Sequence, residues 1–230
     1  MTRTEEQRLP QRMALRREEI LESARVLFNR WGTAHVSANR IASDAGVSPG
    51  NLYYWFPNKA AIIRALFAEW SAASTGVALA GLADSGDPGD ALREFVHAAE
   101  RQPAATARYA FFPRELFALL HADPELAAAY RRNFEAGVDA ITTIAQAGID
   151  AGLLIDPAPR ANLRDVVVTA WIASECAPAF LEVIAEEPAS GRGSGLAGAI
   201  LRSLLTDEGA KALDERKGAR GHEHRGIRAG

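Results

Sequence analysis

The residues that most often carry covalent or metal chemistry are few and dispersed in this chain of 230 residues, which contains five histidines and one cysteine. A nucleophile–base pair or a zinc site needs such residues at informative spacing, and the sequence offers none. It also contains no glycine-rich phosphate loop and no acidic pair in a recognisable pocket context. Cys176 lies in an apolar segment, which favours an inert buried thiol. We therefore expect no enzymatic activity, no metal site and no cofactor.

A group of residues between positions 41 and 56 has the spacing of two short helices joined by a tight turn. Gly46 supplies the positive φ that the turn needs, and Ala42 is small enough for a close helix crossing. Ser48 and Pro49 suit the first positions of the second helix. Apolar residues for the buried faces are Ile41, Ala45, Val47, Leu52 and Trp55. The combination predicts a helix-turn-helix, in which the second helix enters the major groove of DNA.

The rest of the chain has helical periodicity throughout, and we expect an all-α protein. A first helix is predicted from residue 16 to 31, where Gly32 ends it, and Ser37 is placed to cap a short helix at 38–44. A long helix follows at 59–82. After a loop at 83–89, further helices are predicted at 89–101, 104–121, 124–152, 160–186 and 195–206.

The charge is distributed unevenly along the chain. Residues 1–70 contain ten basic and seven acidic residues, whereas residues 71–206 contain ten basic and seventeen acidic ones. A basic end suits contact with a polyanion. The N-terminal segment has no apolar signal core, and charges interrupt every apolar stretch before the ~18 residues of a membrane span. We expect a cytoplasmic protein that does not contact membranes.

The run from Ile41 to Lys59, IASDAGVSPGNLYYWFPNK, resembles the signature of the TetR/AcrR family of bacterial transcriptional regulators. Ile20-Leu21, Leu27-Phe28 and Gly32 resemble the first helix of that family. A looser similarity to one TetR subgroup spans Tyr109–Leu116 and Asp123–Leu126. The resemblance implies a helix-turn-helix DNA-binding domain (16–58) and a helical effector-binding and dimerisation domain (59–206). The polar segment 1–15 has no sustained period and is expected to be a flexible arm, and the charged, glycine-rich segment 207–230 is expected to be a disordered tail.

The resemblance also implies a function and its partners. The expected function is sequence-specific regulation of transcription, with repression relieved by a small-molecule effector as the usual case and activation or corepression left open. The expected partners are double-stranded DNA with a pseudo-palindromic operator, and a second copy of the chain. The homodimer would form on the last two long helices through small and apolar residues: Ala170, Ala173, Ala177, Leu181, Leu196, Ile200 and Leu204.

Eight residues are implied as DNA contacts. Tyr53 and Lys59 match the tyrosine and lysine that bind phosphate in the family. Residues at the start of the second helix can meet phosphates, and polar residues of the third can face base edges, where asparagine suits adenine. These two sets are Ser37, Asn39 and Arg40, and Ser48, Asn51 and Tyr54. Packing is the alternative role for both tyrosines. Thr33 departs from the aromatic residue usual at its position, and Val36 from the usual threonine.

The C-terminal half is less explicit about its ligand. Aromatic and basic residues concentrate on one predicted helix, and a tryptophan follows further along the chain. The candidate ligand-binding residues are Arg108, Tyr109, Phe112, Arg114, Phe117 and Trp171. One interpretation is an apolar pocket in which Arg108 or Arg114 pairs with an anionic ligand. The other is an ordinary helical core.

Two rival functions remain at this point. An enzyme would need a convergent catalytic set, which the sequence does not offer. A helical interaction module would retain the helix-turn-helix without binding DNA. Salt-dependent binding to the DNA upstream of the protein's own gene separates both rivals from a regulator.

Overall fold

The computed structural model describes residues 3–83, 87–184, 199–200 and 202–214. Within these ranges the chain is helical, without strands beyond an isolated bridge between Leu154 and Leu205. This confirms the all-α prediction. The helices are α1 (Arg3–Trp31), α2 (Ala38–Asp44), α3 (Pro49–Trp55), α4 (Lys59–Ala83), α5 (Pro88–Thr106), α6 (Phe111–Ala122), α7 (Pro124–Asp150), α8 (Leu163–Ile184) and α9 (Asp207–Asp214), with a 3-10 turn at Ala107–Tyr109 between α5 and α6.

The chain divides into two compact units. The first contains Met1–Ala72 and Thr106–Tyr130, and the second contains Ala73–Ala105 and Arg131–Gly230. The first unit therefore takes in α6, which the sequence places in the C-terminal domain. The boundary expected between residues 58 and 59 does not separate the units. The first three turns of α4 contribute Ile62, Leu66 and Trp70 to the same apolar core as α1, α2 and α3, which together form the N-terminal head.

The core of the first unit is aromatic. Phe111 packs against Phe28 of α1, with 5.3 Å between ring centroids. Phe112 stacks on Trp70 of α4 at 5.3 Å and meets Phe67 edge-on at 6.0 Å. Buried aromatic pairs of this kind add a favourable electrostatic contribution to the burial of their surface. The packing joins α6 to the helices that form the N-terminal head.

The second unit has its own apolar cluster. Leu92 and Phe95 of α5 pack with Ile144 and Ala145 of α7 and with Leu154. The residues that flank this cluster include Leu205 and Leu213, which come from the segment around α9. Residues from the last described segment of the chain therefore complete the core of the second unit.

The helix α9 lies in the segment that the sequence predicts as a disordered tail. The Arg93 guanidinium donates to Ala212 O through Nε (3.0 Å) and Nη2 (2.9 Å). Thr206 Oγ1 accepts from Gly209 N (3.0 Å) and donates to Gly152 O (2.8 Å), so that it caps α9 and ties it to the unit. These contacts come from distant parts of the chain, and the prediction of disorder is wrong for residues 207–214. Residues 215–230 lie outside the described residues.

The predicted N-terminal arm also differs from the structure. The helix α1 begins at Arg3, within the segment 1–15, and runs without interruption to Trp31. The polar composition of this segment gives no apolar periodicity from which a helix could be predicted.

Candidate nucleic-acid interface

The two short helices α2 and α3 are capped as the sequence predicts. Ser37 Oγ accepts a hydrogen bond from Arg40 N at 3.2 Å, and Ser48 Oγ accepts one from Asn51 N at 3.2 Å. Between the helices Gly46 has a φ of 64°, which a residue with a Cβ adopts only at a cost. The caps fix where each helix begins, and the turn fixes the direction in which α3 leaves α2.

The apolar faces of α2 and α3 are turned inward. Ile41, Ala42 and Leu52 are buried in the core of the first unit. Three half-buried residues pack against the same core, namely Ala45, Val47 and Trp55. Burial of this face leaves the polar residues of both helices on the outer surface.

Seven of the eight predicted DNA contacts are exposed, and Lys59 is half-buried. Tyr54 has 70% of its surface accessible and Tyr53 has 48%, so neither tyrosine is a core residue. The exposed set is Ser37, Asn39, Arg40, Ser48, Asn51, Tyr53 and Tyr54. The set therefore forms a polar surface on the two helices of the motif.

The guanidinium of Arg40 lies over an aromatic ring. It is 5.5 Å from the centroid of Trp31, and Arg30 lies over the same ring at 4.8 Å. Trp31 is itself exposed at the end of α1. Cation–π attraction of this kind restricts the arginine side chain without neutralising its charge. The positive charge of Arg40 is thus held at the start of α2.

Lys59 occupies a position between the surface and the turn that precedes α2. Its ammonium donates to Thr33 O at 2.6 Å and to Val36 O at 3.1 Å. An ammonium has three N–H donors, and these two bonds use two of them. The residue therefore stabilises the α1–α2 turn, in addition to the phosphate contact that the resemblance implies.

The six candidate ligand-binding residues are divided between the two units. Trp171 lies in the second unit, and the other five lie in the first. Tyr109 and Phe112 are buried in the aromatic core that joins α6 to α1 and α4. Both side chains are therefore used in core packing. A core helix and the wall of a pocket have the same apolar sequence pattern, so the sequence alone does not distinguish these two roles.

The two arginines of the candidate set contact the first helix. Arg108 Nη2 pairs with Glu22 Oε2 at 3.1 Å, and Arg114 Nη1 donates to Asn29 O at 3.1 Å. Asn29 in turn donates to Arg108 O at 2.8 Å and accepts from Phe111 N at 3.1 Å. These bonds fasten the start of α6 to α1. Phe117 is largely exposed on α6.

Cys176 is a half-buried thiol on α8. Burial, with a smaller contribution from the charge of Glu175, raises the pKa of the thiol above its ordinary value. A raised pKa keeps the sulfur protonated and weakly nucleophilic. This agrees with the inert role expected from the sequence.

Comparison with protein-family models identifies the fold and the motif. A model of bacterial regulatory proteins of the tetR family matches residues 20–66, and a model described as a bacterial transcriptional repressor matches residues 82–213. The chain belongs to the TetR family. It is a DNA-binding transcriptional regulator, and α2 and α3 are its helix-turn-helix.

Solved TetR-family structures share the architecture. A regulator from Marinobacter aquaeolei VT8 is 28% identical, with a TM-score of 0.68 over 87% of this chain and 97% of that chain. SmeT, the repressor of the Stenotrophomonas maltophilia multidrug efflux pump SmeDEF, is 19% identical, with a TM-score of 0.62 over 83% and 91%. Its complex with triclosan matches at 18% identity and 0.62 over 84% and 93%. A search of curated proteins finds no match.

One contact in this TetR-family head has no signal in the sequence. Thr33 is 6% exposed, and its amide donates to both carboxylate oxygens of Glu115 on α6, at 3.0 and 3.2 Å. The Thr33 hydroxyl donates to the same carboxylate. The residue that departs from the usual aromatic thus receives a partner 82 positions away. Pairing at that separation is invisible to local periodicity.

Proposed function

We propose that this protein represses transcription by binding a pseudo-palindromic operator as a homodimer, and that a small ligand in the second unit releases it. The observation that carries the proposal is the exposed polar surface of α2 and α3 on a capped helix-turn-helix. The match of residues 82–213 to a transcriptional repressor model supports the sign of the regulation. We propose no catalytic role, and we place the protein in the cytoplasm with the DNA.

The DNA contacts divide into two groups by chemistry. Tyr53, Lys59 and the set at the start of α2 are proposed to bind phosphate, since they carry hydroxyl, ammonium and guanidinium donors. Ser37 belongs to this set with Asn39 and Arg40. Asn51 is proposed to read a base, because its amide can pair with both N6 and N7 of adenine. Ser48 and Tyr54 flank it on the exposed face of α3.

Dimerisation is proposed through α8. Ile172, Phe180 and Val183 are exposed and recur at helical spacing on one face, with Ile184 beside them. This face differs from the one expected from the sequence, because Ala170 and Ala177 are buried within their own chain. Of the other residues expected there, Leu196 lies outside the described residues and Leu204 packs against the core of the second unit.

The same helix has the length and composition of a membrane span. It contains 22 residues, and its most apolar stretch of 18 residues has a mean hydropathy of 1.5, of which 17% is buried. An exposed apolar helix requires a cover. Glu175 and Glu182 interrupt the apolar sequence of α8, and proteins of the TetR family act on DNA. We therefore propose that the partner subunit covers this face.

Release requires that ligand binding and DNA binding favour different conformations. A ligand lowers operator affinity only by the difference between its affinities for the two conformations. The triclosan complex of SmeT is a precedent for a small aromatic ligand in a protein of this fold. We propose Trp171 as a ligand contact, and we assign Arg108, Tyr109, Phe112, Arg114 and Phe117 to the segment that links ligand binding to the head.

The phosphate contacts are tested with Tyr53→Phe, which removes one hydroxyl and no apolar surface. Loss of one hydrogen bond to a charged group costs about 1.5–3 kcal/mol. We expect operator affinity to fall at least about tenfold. Affinity for unrelated DNA should fall by a similar factor, so that the preference for the operator changes little. Fluorescence anisotropy with DNA from upstream of the protein's own gene, measured across a salt series, provides the affinities.

Two variants serve as controls for this measurement. Tyr130→Phe removes a tyrosine hydroxyl from α7, outside the interface, and should leave operator affinity unchanged. Asn51→Ala should instead reduce the preference for the operator over unrelated DNA. If the wild-type protein binds both DNAs equally at low salt, with and without triclosan, the proposed repressor function is wrong. If Tyr53→Phe binds like wild type, only the assignment of Tyr53 fails.

A further inference from the structure

Two polar side-chain atoms buried in the second unit lack hydrogen-bond partners within the described part of the chain. They are Nε1 of Trp171 on α8 and Nδ2 of Asn133 on α7. Buried polar groups in native proteins are bonded in the great majority of cases, because an unpaired donor loses its hydration without compensation. Both atoms therefore call for a partner that the described residues do not supply.

The two residues lie where α7 packs against α8. The ring of Trp171 meets the ring of Phe134 edge-on, with 5.6 Å between centroids, and Phe134 follows Asn133 directly. Arg164 in the first turn of α8 pairs with Glu135 of α7 at 2.7 Å, and it also pairs with Asp139. Asn133 shares a helix face with the buried residues Ala140 and Ile144.

A partner subunit is a poor candidate for the missing partner. The exposed apolar face of α8 carries Ile172, Phe180 and Val183, whereas Trp171 Nε1 is already covered by its own chain. Val167 and Ala170, which neighbour Trp171 along α8, are buried within the unit. A group that reaches the indole N–H must therefore enter the unit rather than dock on its surface.

We infer that the second unit binds an uncharged, largely apolar ligand whose carbonyl or ether oxygen accepts a hydrogen bond from Trp171 Nε1. This inference rests on the proposed function and specifies the ligand class. An indole offers a donor and no acceptor, so the ligand must supply the acceptor. The Asn133 Nδ2 group can donate to a second acceptor on the ligand.

The charges of the described residues favour a neutral ligand over an ionic one. Among the described residues, Arg164 of α8 pairs with Glu135 and Asp139 of α7, and both carboxylates are exposed. A buried ion without a countercharge would be strongly destabilised. The two arginines considered from the sequence, Arg108 and Arg114, are bonded to α1 in the first unit. Among the described residues, the buried atoms left unpaired in this layer are the neutral donors of Trp171 and Asn133.

The test compares ligands that differ only in the acceptor. Benzophenone and diphenylmethane share two rings and differ in a carbonyl, and acetophenone and ethylbenzene form a smaller pair. Full-length protein labelled with ¹⁵N-tryptophan is titrated with each compound, and the Trp171 indole resonance is assigned by Trp171→Phe. We expect a ketone to bind about two- to tenfold more tightly than its hydrocarbon, the range of one neutral hydrogen bond, and to shift the Trp171 N–H resonance downfield.

Trp171→Phe keeps an aromatic ring and removes the donor. It should abolish the preference for the ketone while the affinity for the hydrocarbon changes little. Trp70→Phe, in the core of the first unit, is the matched control and should keep the preference. Equal affinities within both pairs, or a Trp171 resonance that neither ketone moves, overturn the inference. Operator binding and release are measured separately, so that result leaves the proposed function standing.

Discussion

The hydroxyl of Tyr109 shows how a single residue in this protein changes meaning once its neighbours are known. The ring is buried in the first unit, and the hydroxyl donates to Glu69 Oε2 of α4 at 3.0 Å. Burial first, and then the hydrogen bond and charge of Glu69, raise the pKa of this phenol above its ordinary value. The positive charges of Arg25 and Arg108 oppose the shift without reversing it. The folded protein therefore favours neutral tyrosine.

A pH dependence follows from this shift. A group whose pKa is raised by folding contributes stability that is present below its unfolded pKa, ~10 for tyrosine. That contribution is lost as the pH rises through the folded value. We expect Tyr109→Phe to unfold at a lower urea concentration than wild type at neutral pH, and to lose less stability than wild type above pH ~10. Urea titrations at several pH values, with tyrosinate absorbance, test this.

The opposite result has a clear reading. If wild type and Tyr109→Phe lose stability in parallel above pH ~10, the phenol of Tyr109 does not titrate with a raised pKa in the folded state. Tyr130→Phe is the matched control. It should lose as much stability above pH ~10 as wild type does, in contrast to Tyr109→Phe.

At the scale of elements, α6 and the residues at its two ends contact α1, α4 and the turn between α1 and α2. Arg108 and Asn29 join its preceding turn to α1, and Glu115 holds the turn between α1 and α2 through Thr33. Arg64 of α4 pairs with Asp123 at 2.7 Å, at the end of α6. We propose that a displacement of α6 is passed through Glu115 and Thr33 to the turn that precedes α2.

The Glu115–Thr33 contact is the element-scale test of this coupling. Glu115→Ala leaves the buried Thr33 amide without an acceptor, at a cost of about 1–3 kcal/mol in the free energy of unfolding. Operator affinity should fall about fivefold or more, the lower range of measured couplings between sites. Glu115→Gln retains an acceptor oxygen and should lose less of both. The measurements are urea unfolding and anisotropy with operator DNA.

A general loss of stability must be separated from a loss of positioning. Leu119→Ala shortens a buried side chain on the same helix and leaves Glu115 in place. It should destabilise the protein without a matching loss of operator affinity, under conditions where it is folded. A double-mutant cycle with Thr33→Val should give a coupling energy of about 0.5–3 kcal/mol. Additive effects would show that the two side chains act independently.

At the scale of the whole molecule, DNA recognition needs two heads, and one chain supplies one. A helix-turn-helix dimer reads two half-sites about one DNA turn apart, or a multiple of it, and so matches operator symmetry to protein symmetry. The exposed apolar face of α8 is the surface we propose for the partner. Val183 is 84% exposed and Phe180 is 62% exposed, so both are accessible before assembly.

A charge on this face should separate the subunits without unfolding them. We expect Val183→Asp to sediment as a monomer with helical content unchanged. Its operator affinity should fall about a hundredfold or more, because the two heads no longer bind as a linked pair. Ile155→Glu places a charge at another exposed apolar residue of the second unit, outside α8, and should remain dimeric. A dimeric Val183→Asp protein with wild-type affinity would place the interface elsewhere.

The sequence by itself determined the all-α class and the helix-turn-helix with its two serine caps and its glycine turn. These features depend on residues within a few positions of one another, where spacing and backbone preference act directly. It also placed Ser37, Asn51 and Tyr53 on the motif, and their exposure followed from the inward apolar pattern.

Only the tertiary structure decided which unit α6 joins, that Glu115 accepts from Thr33, and that Tyr109 and Phe112 are core residues. It also decided that residues 207–214 fold, since Arg93 and Gly152 hold them from distant positions. An apolar or polar residue on a helix shows the same local pattern whether its partner is a core, a ligand or a second subunit. The partner is fixed by packing between segments far apart in the chain, and local spacing carries no information about it.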